Sequence, residues 1–169
     1  MKVCFLDRDG TINIDHGWVS TVDRWEWAPG ALEALQMIQN AGYALIIVTN
    51  QSGIAMGYYT EEEVETLHQF MVREAAKADV YFFAVLHCPH ARDAGCDCRK
   101  PAVGMARGIE KILDIDYAES WMIGDKPTDV KFGNTLGMKT ALIRSDYWES
   151  LDCEPTIVVD NLLGIAKFL

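Results

Sequence analysis

Apolar residues in this chain fall into short continuous runs, and between the runs they recur at helical spacing. The first run, Lys2 to Leu6, stops at Asp7 and predicts a buried strand. Pro29-Gly30 turns the chain into Ala31 to Asn40, where Leu32, Leu35 and Ile38 share a helical face, and Ala41-Gly42 ends that helix. Ala44 to Val48 predicts a second buried strand, ending at Thr49-Asn50. Thr60-Glu61-Glu62-Glu63 has the form of a capping box and starts a helix running to about Ala78. Val80 to Leu86 predicts a third strand, residues 88–104 a loop, and Met105 to Leu113 a helix. Trp121-Met122-Ile123 predicts a strand ending at Gly124-Asp125, and Pro127 suits the first turn of a helix that ends near Gly137. Lys139 to Ile143 and Thr156 to Val159 are late strands, and Asn161 to Leu169 predicts a closing helix.

Strands that are apolar throughout and alternate with helices form a parallel sheet covered on both faces. The expected fold is therefore α/β, a three-layer doubly wound parallel sheet. No repeat, linker or low-complexity stretch divides residues 1–169, so one domain is expected. In such sheets ligands bind beyond the carboxyl ends of the strands. Asp7, Thr49-Asn50 and Asp125 all fall at predicted strand ends, so separate segments deliver polar groups to one edge.

Composition narrows the partners. The formal charge of −10 over 169 residues repels nucleic acid and anionic membranes. A small anionic substrate then needs a local positive site, most simply a metal ion and a few cations. No apolar run reaches the ~18 residues that span a bilayer, and the opening Met1 to Leu6 lacks the features of a signal peptide. A cytoplasmic monomer is expected. Five cysteines, an odd number, argue against a disulfide framework.

Asp7-Arg8-Asp9-Gly10-Thr11 places two carboxylates two residues apart just past a strand. That spacing suits a nucleophile, Asp7, and a general acid/base, Asp9, acting on one phosphorus. Thr49-Asn50-Gln51-Ser52 offers a hydroxyl, amides and backbone N–H groups for phosphoryl oxygens. In Arg99-Lys100-Pro101, Lys100 can neutralise the transferring phosphoryl group and Arg99 can clamp a second anionic or hydroxyl group. Asp125, in Gly124-Asp125-Lys126-Pro127-Thr128-Asp129, supplies a hard oxygen for magnesium beside Asp7 and the backbone carbonyl of Asp9. Asp129, one helical turn on, suits a ligand, an acceptor that holds a ligating or catalytic group, or a helix N-terminal charge.

Cys88-Pro89-His90 followed by Cys96-Asp97-Cys98 puts three sulfurs and one imidazole within eleven residues. That set matches a tetrahedral Cys₃His zinc site with all four positions filled, hence structural rather than catalytic. His87 breaks the symmetry of the two pairs and is left out. The site abuts Arg99-Lys100, so zinc would pin the loop that presents both cations. His68 is expected on a helix surface.

Taken in order, these motifs resemble the haloacid dehalogenase superfamily, whose phosphatases carry Asp-x-Asp-x-Thr, then Ser/Thr, then Lys, then an acidic cluster. The resemblance covers nearly the whole chain and implies a magnesium-dependent phosphatase working through an aspartyl phosphate. The gaps after Asp7 and Thr49 are too short for a large cap domain. Within the superfamily the chain is similar to the heptose 1,7-bisphosphate 7-phosphatases and the related histidinol-phosphatases. The matching segments are the motifs above together with Asp15-His16-Gly17-Trp18-Val19 and Gly53-Ile54-Ala55. The resemblance implies substrate contacts from Asp15, His16, Gly17, Trp18, Asn50, Gln51, Ser52, Arg99 and Lys126. Asp15-His16-Gly17 is closer to the heptose enzymes, so a small phosphorylated sugar is the expected substrate, with histidinol phosphate the alternative. A non-catalytic zinc-stabilised interaction module would lack one of Asp7, Asp9, Thr49, Lys100 or Asp125, and all are present. The chain departs from the pattern at Trp18 (usually Tyr), at Met56 (usually Arg), at Ala102-Val103-Gly104, and in its short five-residue span between His90 and Cys96. Loss of a cation at position 56 weakens the expected hold on a second phosphate.

Overall fold

A computed structural model of the chain describes residues 1–145 and 152–169. Strand β1 is Val3–Leu6, helix α1 Ala31–Asn40, β2 Ala44–Asn50, α2 Glu61–Ala76, β3 Phe82–Cys88 and α3 Gly104–Ile109. They are followed by β4 Trp121–Gly124, α4 Pro127–Thr135, β5 Lys139–Ile143, β6 Ile157–Val159 and a 3₁₀ turn over Leu162–Phe168. Among the described residues the six strands form one parallel sheet in the order β3-β2-β1-β4-β5-β6.

Side chains alternate between two cores, as a pleated strand requires. Cys4 and Leu6 face one layer with Leu35 and Ile38 of α1, Met71 of α2 and Ile165 of the 3₁₀ turn. Val3 and Phe5 face the other, with Met105 and Ile109 of α3 and Phe132 of α4. Both faces are covered, so the strands are apolar throughout.

The expected elements stand, with shifted edges. The buried stripe of α1 is Ala31, Ala34, Leu35 and Ile38, with Leu32 at its margin. The Thr60–Glu63 capping box forms fully: Glu63 N donates to Thr60 Oγ1 at 3.1 Å and Thr60 N to Glu63 Oε2 at 2.7 Å. Strand β3 lies two residues later than its apolar run suggests, and its exposed Phe83 is the residue skipped where the register with β2 shifts between Leu45–Phe82 and Ile46–Ala84. Helix α3 is short and contains Gly108, a weak helix former. The closing segment is 3₁₀, not α: Asn161 caps Gly164 N at 3.1 Å, and Gly164 sits against Val159. His68, expected on a helix surface, is instead buried at 7% exposure, on the inward stripe with Val64, Leu67, Met71 and Ala75.

The strand order reverses between β1 and β4, and adjacent connections leave a crevice at such a point. Leu6 pairs with Ile123, and Asp7 N donates to Ile123 O at 2.9 Å. Asp7 and Asp125 therefore emerge side by side above the sheet.

Candidate active site

The register of the sheet decides which side chains meet. On one side of β1, Asn50 pairs with Cys88, and Gln51 N donates to Cys88 O at 2.8 Å. The Thr49-Asn50-Gln51-Ser52 segment and the cysteine loop thus leave the sheet together. On the other side β4 delivers Asp125, and Lys126 caps α4. A cavity of about 700 Å³ opens above these ends, within the usual range for small-molecule sites. Asp7, Asp9, Thr49 and Lys100 all line it.

Lys100 lies at the centre. It is buried, with Nζ 2.9 Å from Asp7 Oδ1 and 2.6 Å from Asp129 Oδ1. Burial opposes its charge, but Asp129 and Asp7 outweigh that and raise its pKa. The same balance runs the other way at Asp7. Burial favours the neutral acid, yet the Lys100 and Lys126 ammonium groups hold the carboxyl below its usual range. Asp7 is thus ionised and aimed into the cavity. The backbone of Lys100 is clamped from β2: Asn50 Nδ2 donates to Lys100 O at 3.1 Å and Lys100 N to Asn50 Oδ1 at 3.0 Å.

Asp9 is held differently. Its carboxylate accepts from Arg8 Nη2 at 2.8 Å, Asn13 Nδ2 at 3.0 Å and Gln51 Nε2 at 2.9 Å. Gln51 also donates to Thr49 Oγ1 at 2.9 Å and accepts from Tyr59 OH at 2.8 Å. Gly10 has φ +82°, and a Cβ there would strike the Asp125 carboxylate. Glycine lets the turn after Asp9 bring that carboxylate against the backbone.

Carboxylate oxygens of Asp7, Asp125 and Asp129 lie within 4.8 Å of one another. Asp125 Oδ1 is buried and accepts no hydrogen bond among the described residues. Burial, opposed by Lys126 and reinforced by Asp7 and Asp129, pushes the Asp125 carboxyl up to about 7. A buried carboxylate oxygen without a hydrogen-bond donor, in a crowd of acids, fits a hard divalent cation such as magnesium, whose ligands are oxygens. Asp129 is already committed to Lys100 and to Lys126 N, which donates to it at 3.0 Å. That arrangement matches the role of an acceptor holding a catalytic group.

The cysteine loop closes on itself. Cys98 Sγ lies 3.1 Å from Cys88 Sγ and 3.6 Å from Cys96 Sγ, and Cys88 Sγ is 3.6 Å from Cys96 Sγ. His90 Nδ1 is 3.5 Å from Cys88 Sγ and 3.1 Å from Cys98 Sγ. Zinc–sulfur bonds of ~2.3 Å give tetrahedron edges of ~3.8 Å, so the loop is folded to that size. Burial and the neighbouring Cys88 and Cys96 push the Cys98 thiol up to about 12, and only a cation between them lets all three ionise. The donor set fits zinc. His87 stands outside it, bonded to Glu61 Oε1 at 3.1 Å.

Among the residues expected to touch substrate, Asp15, Gly17, Trp18, Asn50, Gln51, Ser52, Arg99 and Lys126 line the cavity. Lys126 Nζ spans Asp125 Oδ1 at 3.5 Å and Asp15 Oδ2 at 3.8 Å. His16 does not line it; its ring turns to Glu26 Oε2 at 2.8 Å. Trp18, with φ 53°, packs edge-on against Tyr58, their rings 4.9 Å apart. Met56 is 49% exposed and absent from the lining, whereas Arg92 and Tyr59, which the motifs did not single out, are part of it. Arg92 sits in the polar stretch between the zinc ligands, where nothing in the pattern separates a cavity residue from a solvated one. Tyr59 directly precedes the capping box and carries no signal of its own.

Comparison with known proteins agrees with this geometry. Residues 97–165 match the HAD-hydrolase-like family model. The chain is 42% identical to the D-glycero-beta-D-manno-heptose-1,7-bisphosphate 7-phosphatase of Haemophilus ducreyi, over 99% of this chain and 98% of that one. It is 44% identical to the enzyme of the same name from Escherichia coli K12, over 82% and 76% respectively. A crystal structure of D,D-heptose 1,7-bisphosphate phosphatase from B. bronchiseptica, complexed with magnesium and phosphate, superimposes with a TM-score of 0.90 at 33% identity, covering 99% of this chain and 97% of that one. Fold, ordered motifs and near-full-length similarity together place the chain in the family of heptose-1,7-bisphosphate 7-phosphatases, within the haloacid dehalogenase-like hydrolases.

Proposed function

We propose that this chain is a magnesium-dependent phosphatase that removes the 7-phosphate of D-glycero-D-manno-heptose 1,7-bisphosphate through an aspartyl phosphate on Asp7. The observation that carries the reading is the ionised Asp7 carboxylate, paired with Lys100 at 2.9 Å and open to a cavity that Asp15 and Arg99 also line. The names of the similar enzymes supply the sugar.

Asp7 attacks the phosphorus, and the bond to the sugar oxygen breaks as the Asp7–phosphorus bond forms. Asp9 gives the departing oxygen its proton. It then takes a proton from water, which attacks the same phosphorus and releases phosphate and free Asp7. Lys100 and the Thr49 hydroxyl hold the equatorial oxygens, and the backbone N–H groups after Thr49 add donors. Asp7, Asp125 and the Asp9 backbone carbonyl would hold magnesium, which would supply positive charge to the phosphoryl group. Cys88, His90, Cys96 and Cys98 would hold zinc, which would pin the loop carrying Arg99 and Lys100. Asp15, Gly17, Trp18 and Arg99 face the sugar and its second phosphate. His16 supports that loop through Glu26. Five cysteines without a disulfide suit a reducing compartment, and we take the chain to be a cytoplasmic one-domain monomer.

A phosphate-release screen over sugar bisphosphates, sugar monophosphates and histidinol phosphate tests the assignment. The heptose bisphosphate should be turned over best, and Asp7→Asn should abolish its turnover while melting like the parent. Retained turnover in Asp7→Asn refutes the covalent mechanism.

A further inference from the structure

Arg8, between the two catalytic aspartates, has no exposed surface at all. Its Nη2 donates to Asp9 Oδ2 at 2.8 Å, to Asp9 Oδ1 at 3.0 Å and to Val19 O, and its Nε donates to Asp9 Oδ1 at 3.2 Å. Both oxygens of Asp9 are therefore fixed by one planar fork. The remaining nitrogen, Nη1, lies 3.0 Å from His68 Nε2. A guanidinium can only donate, so His68 Nε2 accepts and the imidazole is neutral with its proton on Nδ1. Burial first, then the charge of Arg8 and the nearby His87, favour that neutral form, bringing the His68 pKa down to about 3.

His68 reaches this position from α2, where it lies on the buried stripe 7% exposed. Its ring packs at 5.6 Å against that of His87, which is in turn tied to Glu61 at the start of the same helix. Nothing in the chemistry of phosphoryl transfer needs an imidazole there, behind Arg8 and outside the cavity lining. What it supplies is an acceptor for Nη1, the one guanidinium nitrogen that Asp9 and Val19 O leave to another partner. A tilt of Arg8 pulls on both oxygens of Asp9 against the donors Asn13 and Gln51, and misplacing an acid/base by even ~1 Å is costly.

We propose that His68 is a positioning residue for the acid/base: it locks the Arg8 fork, and through it the carboxylate of Asp9. This rests on the acid/base role assigned to Asp9.

The test compares a simple alkyl phosphate, whose leaving oxygen needs a proton, with p-nitrophenyl phosphate, whose leaving group does not. Asp9→Asn serves as the reference and should lose far more activity on the alkyl ester. His68→Leu, which removes the acceptor, should lower kcat on the alkyl phosphate by about tenfold more than on the aryl one, a part of the ~10²–10⁴ that acid/base catalysis supplies. KM should stay within about twofold on both, and His68→Gln, whose amide oxygen accepts from Arg8, should recover most of the loss. Should His68→Leu fail to fold, Arg8→Lys carries the same comparison, because an ammonium cannot hold both Asp9 oxygens. Equal losses on the two esters in these variants, with Asp9→Asn still discriminating, overturn the inference. Equal losses in Asp9→Asn itself overturn the acid/base assignment beneath it.

Discussion

Lys100 Nζ lies 2.9 Å from Asp7 Oδ1, a contact between residues 93 apart in the chain and almost wholly shielded from water. Such a pair is weak evidence of net stability, because desolvating both charges costs about what their attraction returns. Its value is positional: it orients the nucleophile and puts a cation where phosphoryl oxygens will sit. Lys100→Met should therefore cut kcat at least ~10²-fold. It should also destabilise the fold by ~3–5 kcal/mol, since Asp7 and Asp129 lose the buried cation they share. Phosphate release and chemical denaturation measure the two effects, and an unchanged melt would show that the carboxylates do not depend on that cation.

Asn50 spends both ends of its amide on the backbone of Lys100, at 3.1 and 3.0 Å. Asn50→Ala should lower kcat/KM by about tenfold by loosening the lysine, with little loss of stability. A larger effect on KM than on kcat would point instead to direct contact with substrate.

These contacts show how far a sequence speaks. Asp7 and Asp125 were legible because each ends an apolar run, and parallel strands pool their carboxyl ends at one edge. The meeting of Cys88, His90, Cys96 and Cys98 was legible because short-range spacing alone brings them together. Asn50 read as a phosphate ligand, since a clamp on residue 100 depends on the register of β2 with β3 and the path of the loop beyond it. His68 was in principle readable: 64, 67, 68, 71 and 75 form one helical stripe, and a histidine on it must be buried. Its partner Arg8 was not, because spacing cannot show which cation turns inward.

The cysteine loop meets the cores only at its ends, through buried Cys88 at the close of β3 and through Cys98 against the layer of Val3 and Phe5, so zinc loss should act on the loop before the sheet. Cys96→Ser should lower the melting temperature and raise KM, with phosphoenzyme still detectable. Metal analysis of the parent should find about one tightly held zinc per chain, distinct from exchangeable magnesium. Active protein without a bound transition metal would rule the zinc site out.

The folded-state pKa of His68, about 3, lies below the unfolded value of about 6.5. Between these values the unfolded chain binds the extra proton, so this group's contribution is intact above pH ~6.5 and is lost as pH falls toward 3. His68→Gln, which cannot titrate, should flatten the acid side of a stability–pH curve from pH 6.5 downward. Parallel curves for parent and variant would mean that His68 is not held neutral.

The central claim is that the site selects a heptose bisphosphate at its 7-phosphate. The most direct measurement is kcat/KM with magnesium for D-glycero-D-manno-heptose 1,7-bisphosphate against histidinol phosphate, with the sugar product identified by phosphorus NMR. The account predicts a preference of at least about tenfold for the sugar, ~1.4 kcal/mol of differential transition-state binding, and heptose 1-phosphate as the product. A higher value for histidinol phosphate, or release of the 1-phosphate, would contradict it.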